Sequence, residues 1–135
     1  MTAPAAGLLD TSIFIARESR RPLGELPERG SVSVVTIGEL QLGVLNAGDE
    51  ESRARRADTL ALARSAEPIP VSEAIMVSWA RLVADCQAAG VHRLVKLTDA
   101  LIAATAVEHG LPVVTHDDDY DAIARAHPRL DVIKV

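Results

Sequence analysis

The chain has 135 residues, 48% of them hydrophobic and 2% aromatic, and a formal net charge of −5. That length suits a single domain over residues 1–135 with a core of its own, and the apolar content excludes a disordered chain. The acidic balance excludes nucleic-acid binding by bulk electrostatics, but not a nuclease whose site holds cations.

The first six residues lack a basic region, and the apolar stretch after them is broken by Asp10. No signal peptide is expected, and no run is long enough for a membrane span. Gly7, Leu8 and Leu9 read as a short buried strand ending at Asp10, with a helix over 11–18. Pro22, Pro27 and Gly30 mark a connector. The β-branched run 31–35 predicts a second strand, and Thr36 opens a helix that stops near Gly48. Residues 49–66 predict a helix with a thin apolar stripe. Ile69 lies between two prolines, so 68–71 is an edge strand at most. Ser72 caps a helix to about residue 89, with Ile75, Trp79, Leu82, Val83 and Cys86 on its buried face. Cys86 is the only cysteine, which leaves no internal disulfide and no zinc spacing, and makes a cytoplasmic location the default. A helix from Thr98 to His109, closed by Gly110, precedes a strand over 111–115. Asp117, Asp118 and Asp119 lead into a short helix to residue 126, and 130–135 supplies a last strand. The alternation predicts an α/β fold, a parallel sheet covered by helices on both faces.

Four acids recur at one topological place, just after a strand or in a first helical turn: Asp10, Glu39, Asp99 and Asp117. Each has an alternative reading as a cap. Asp10 and Asp117 suit N-caps, Glu39 a capping box with Thr36, and Asp99 the positive end of a helix capped by Thr98. Together they pose a different problem. The turns after successive parallel strands converge at the carboxyl edge of the sheet. Like charges ~4 Å apart repel by roughly 4 kcal/mol at an effective dielectric near 20, and helix dipoles offset only about 0.3–1 kcal/mol each. Apart from His116, no lysine or histidine adjoins these acids in sequence. A hard divalent cation is the remaining neutraliser, and oxygen-only ligands favour Mg²⁺ or Mn²⁺ over zinc. Such a site suits phosphoryl transfer by an activated water. No serine or cysteine nucleophile with a paired histidine is visible. A phospho-aspartyl phosphatase would want an acid where Ser12 stands, and a receiver domain a lysine where Thr115 and His116 stand.

Four elements now appear in order: Leu8-Leu9-Asp10-Thr11-Ser12, Thr36-x-x-Glu39-Leu40-x-x-Gly43, Thr98-Asp99 followed by Ala100 to Ala106, and Val114-Thr115-His116-Asp117-x-Asp119-Tyr120. This set resembles the PIN-domain ribonucleases, and within them the VapC toxins of bacterial toxin–antitoxin pairs. The resemblance implies a three-layer α/β/α sandwich with a parallel sheet of about five strands. It implies an Mg²⁺- or Mn²⁺-dependent endoribonuclease acting on structured RNA such as tRNA, with Asp10, Glu39, Asp99 and Asp117 as the acidic quartet. Asp10, Asp99 and Asp117 would be metal ligands, and Thr11, Thr115 and Asp119 would support them. It also implies a homodimer and a cognate VapB-type antitoxin whose C-terminal segment places a basic side chain in the acidic site. A PIN fold used only as an acidic binding scaffold is the alternative.

Arg17, Arg93 and Lys96 are the candidate phosphate contacts, with ordinary surface solvation as the competing role. Alternation from Asp117 points His116 away from the acids. Trp79 and Cys86 read as core, and Phe14 and Tyr120 as packing residues.

Overall fold

The computed structural model describes residues 4–135. Met1 to Ala3, part of the stretch on which the signal-peptide expectation rests, lie outside the described residues. Four strands form one parallel sheet: β1 (Ala6–Leu9), β2 (Arg29–Ser31), β3 (Val113–Thr115) and β4 (Val132–Lys134). Their order is β2-β1-β3-β4. The chain thus moves outward from β1 to one side and returns on the other, so the β1–β3 crevice is a topological switch point.

Among the described residues six helices flank the sheet: α1 (Thr11–Glu18), α2 (Val34–Leu45), α3 (Glu50–Arg64), α4 (Glu73–Ala88), α5 (Leu97–His109) and α6 (Asp121–Ala126), with a 3-10 helix at His92–Leu94. Successive strand residues face opposite sides, so β1 feeds two cores. Leu8 packs with Val113, with Leu82 and Cys86 of α4, and with Ile102 and Ala103 of α5. Leu9 packs on the other side, against the cluster of Phe14, Leu40, Leu60 and Ala63 from α1, α2 and α3. The result is a sandwich of helices on both faces of a parallel sheet, held by aliphatic and alanine contacts as the low aromatic content requires. Trp79 is half-buried against the first core and Cys86 is fully buried in it.

Helix ends follow local chemistry. Asp49 caps α3 by accepting from Ser52 N at 2.7 Å, and Ser72 caps α4 by accepting from Ile75 N at 3.2 Å. Gly110 ends α5 with φ 64°, a left-handed turn that a side chain would strain.

Two expectations shift. The second strand is present but shifted: of the run 31–35 only Ser31 belongs to it, and β2 ends there. Ser33 caps α2, its Oγ accepting from Val35 N at 3.0 Å, and draws Val34 and Val35 into the helix. Pairing with β1 instead recruits Arg29 and Gly30 into β2. A Cβ at Gly30 would lie 2.7 Å from Leu9 Cδ1, so a larger residue there would push the Leu9 side chain aside. The edge segment at Ile69 makes one parallel bridge to Ser33 and goes no further. Its flanking prolines lack the N–H that a longer ladder needs. The sheet therefore has four strands where about five were expected. Among the described residues no helix is long and apolar enough to cross a membrane.

Candidate functional site

At the carboxyl edge of β1 and β3, a cleft of about 160 Å³ is lined by Asp10, Thr11, Ser12, Ile15, Glu39, Lys96, Asp99, Asp117 and Asp119. All four acids singled out from the sequence meet there. They arrive from four places: the end of β1, the second turn of α2, the first turn of α5 and the loop after β3.

Asp10 is anchored by its backbone, whose N–H donates to Val114 O at 2.9 Å across the sheet. The residue is 3% exposed. It does cap α1, accepting from Ser12 N at 3.3 Å. It also accepts from Thr115 Oγ1 at 3.0 Å and from the Tyr120 hydroxyl at 2.7 Å. A capping acid on a surface helix would not be buried under two further donors.

Hydroxyl groups order the other acids. Thr11 donates to Glu39 Oε1 at 2.7 Å and lies 2.9 Å from Thr36 Oγ1. Thr11 has one hydrogen, so Thr36 donates to Thr11 in turn. Ser12 Oγ accepts from His116 N at 2.9 Å and lies 3.1 Å from Thr115 Oγ1. Thr115 Oγ1 also lies 3.2 Å from Asp117 Oδ1, so one hydroxyl stands between two carboxylates. Asp117 accepts from Asp119 N at 3.0 Å, closing a turn within the loop. His116 faces away, its Nδ1 2.7 Å from Val135 O.

The electrostatics match this crowding. Asp99 is 8% exposed. Burial first, then the charges of Asp10, Asp119 and Glu39, push its carboxyl up to about 7, with Lys96 opposing. Burial likewise raises Asp117, against the pull of the Asp119 N–H bond. Burial and the neighbouring Asp10 and Asp99 charges hold the Tyr120 hydroxyl protonated, far above its ordinary range. Tyr120 is therefore a donor to Asp10.

The donors facing the cleft are carboxylate and hydroxyl oxygens, apart from the ammonium of Lys96, which is the set that Mg²⁺ or Mn²⁺ prefers. Among the described residues no three acid, histidine or cysteine side chains close on a single ion-sized point. Mutual repulsion and the bonds to Thr11, Thr115 and Tyr120 hold the carboxylates apart, so waters would complete any coordination shell. The set fits a hydrated magnesium-type site and not a dry cage.

A family model described as the PIN domain matches residues 7–126. Ribonuclease VapC8 of Mycobacterium tuberculosis is 75% identical over 100 residues, 74% of this chain and 89% of that protein. Ribonuclease VapC5 of the same organism is 43% identical over 136 residues, 99% of this chain and 98% of that one. The chain belongs to the PIN-domain family, in its VapC branch. A crystal structure of VapBC-5 from Mycobacterium tuberculosis, a member of the VapBC family of toxin–antitoxin systems, contains a chain that superimposes with a TM-score of 0.87. That chain is 40% identical, and the match covers 98% of this chain and 100% of that one.

In this VapC-family domain the cap readings resolve individually. Asp10 is both a cap and a cleft residue. Glu39 is no capping-box partner, because α2 starts two residues before Thr36. Asp99 lies in the first turn of α5, whose N-cap position is Lys96 rather than Thr98. Asp117 is not an N-cap, because α6 begins only at Asp121. Although no lysine adjoins these acids in sequence, one of the candidate phosphate contacts reaches the cleft in the fold. Lys96 Nζ donates to Asp119 Oδ2 at 3.2 Å, across 23 residues of sequence. Arg17 and Arg93 are exposed and do not line the cleft. Ile15 is a cleft neighbour that sequence reasoning passed over, while Tyr120 and Thr36, read there as a packing residue and a cap, also bond to residues of the site. Tyr120 left one signal, a phenolic hydroxyl carried into a buried position beside three acids.

Proposed function

We propose that this chain is a metal-dependent endoribonuclease, the toxin of a VapBC-type toxin–antitoxin pair. The observation that carries the proposal is Asp99. It is a buried carboxylate crowded by Asp10, Asp119 and Glu39 and relieved only in part by Lys96, which leaves a strong demand for added positive charge. Asp10, Asp99 and Asp117 would hold Mg²⁺, with Mn²⁺ able to replace it, and Glu39 would complete the acidic lining.

A bound divalent ion supplies activation of water and neutralisation of charge at phosphorus. The chain's own residues supply the geometry. Thr11 fixes Glu39, Thr115 stands between Asp10 and Asp117, and the pairing of β1 with β3 sets those two acids side by side in the cleft. Glu39 is the half-buried acid placed to accept a proton from an attacking water. Lys96, at the rim, pairs with the phosphate that flanks the cut. Structured RNA, tRNA in particular, is the proposed substrate class, and the free thiol of Cys86 fits a cytoplasmic setting. The proposed partners are a second copy of this chain and a VapB-type antitoxin, whose basic side chain would replace the cation in the cleft.

The test is cleavage of a tRNA pool by protein refolded from denaturant, so that no antitoxin or host nuclease persists. Cleavage should require Mg²⁺, stop with chelator, and fall by at least ~10³-fold in Asp10→Asn and Asp99→Asn, a loss of about 4 kcal/mol of barrier lowering. Activity equal to wild type in both variants refutes the nuclease and leaves the acidic scaffold.

A further inference from the structure

Asp10 Oδ2 accepts from Thr115 Oγ1 at 3.0 Å and from Ser12 N at 3.3 Å, whereas Oδ1, among the described residues, accepts only from Tyr120, at 2.7 Å. A carboxylate offers about four acceptor directions, two on each oxygen. Oδ2 is filled. The vacant direction therefore belongs to Oδ1, the oxygen that Tyr120 holds. The Tyr120 ring is 0% exposed and packs in the core with Leu8, Val113 and Ile123. Its place is set by close packing, not by the site. The hydroxyl passes that fixed position to Asp10 through a short bond to an ionised acceptor, among the strongest and most directional of hydrogen bonds.

We propose that Tyr120 is a positioning residue for the acidic cleft: its hydroxyl holds Asp10 Oδ1 so that the remaining lone pair of that oxygen faces the cation. This rests on the metal-dependent reading above. Thr115 and Ser12 serve the other oxygen and cannot substitute for it. The competing role is purely structural, a buried hydroxyl that needs an acceptor and finds one in Asp10. The two roles differ in what is lost with the oxygen atom. A structural bond contributes to stability alone, whereas a partner that orients a metal ligand typically changes metal affinity 10–100-fold.

Tyr120→Phe separates them, because it removes one oxygen and keeps the ring that fills the core. The probe is Mn²⁺, titrated calorimetrically into the wild-type protein, Tyr120→Phe and Asp10→Asn, with circular dichroism showing each to be folded. The expected result is Mn²⁺ binding at least 10-fold weaker in Tyr120→Phe. The Mn²⁺ concentration for half-maximal RNA cleavage should rise by a matching factor. Wild-type Mn²⁺ affinity in Tyr120→Phe, with binding lost in Asp10→Asn, overturns the positioning role and leaves the metal site standing. A wild-type protein that binds no Mn²⁺ overturns the metal site and this proposal together, and is told apart because the failure appears without any substitution.

Discussion

Asp99 is an acid held where ionisation is costly. Its folded-state value of about 7 lies above the ordinary 3.8. Between about pH 4 and pH 7 the folded chain therefore keeps a proton that the unfolded chain has released. Stability of the ion-free protein should fall as pH rises through that window and level off above it. Asp99→Asn keeps the shape and removes the charge. At pH 8 in chelator it should stabilise the fold by about 1–3 kcal/mol, read as a higher Tm, while abolishing RNA cleavage. A lower Tm than wild type under those conditions would count against the repulsion. The same carboxylate thus weakens the empty fold and would serve the loaded site, the usual conflict between stability and function at an active centre.

At the level of the element, competition between local preferences decides boundaries. Residues 31–35 look like a strand because Val32, Val34 and Val35 are β-branched. Only Val34 and Val35 enter α2, because the Ser33 hydroxyl bonds Val35 N, satisfying an end group that a strand would leave to a neighbouring chain. Ser33→Ala should cost about 1–2 kcal/mol, seen as a lower denaturant midpoint with unchanged slope. No effect would mean that sheet pairing alone sets the start of α2. By contrast the sequence predicts α1, α3, α4 and α5 to within two residues, since each carries a strong start or stop signal: Asp10, Asp49, Ser72 and Gly110. The loop from Thr115 to Tyr120 is harder to read. Its acids are sorted by one local partner, Thr115 for Asp117, and by two distant ones, Lys96 for Asp119 and Lys134 for Asp118 at 2.6 Å. No local periodicity separates four acids within five residues.

For the whole molecule, the sheet order brings the ends of β1 and β3 together and so concentrates negative charge in one cleft. Ion binding there should be linked to folding, because the unfolded chain scatters those acids. Mg²⁺ at about 100-fold over its Kd should add about 2.7 kcal/mol and raise Tm by several degrees. Asp99→Asn should blunt the shift, and Lys134→Met, which acts on the far side of the loop, should keep most of it. An unchanged Tm in millimolar Mg²⁺ favours the scaffold over the enzyme. Electrostatic relief by a basic side chain of an antitoxin would give the same stabilisation without metal.

The order of helices and strands, the four acids and their place at strand ends and in helix turns were legible in sequence, because capping, turn chemistry and hydrophobic period act over a few residues. The ordered motifs also pointed to the family. Only the tertiary structure decided which groups touch. Tyr120 reaches Asp10 across 110 residues, Thr115 reaches it across 105, and Lys96 meets Asp119 across 23. Those contacts depend on strand order and on the packing of α5 and α6 against the sheet, quantities that no local pattern encodes. Asp10 is recognisable from its neighbours in sequence as a strand-end acid. What aims its carboxylate is a tyrosine hydroxyl that only folding brings within 2.7 Å.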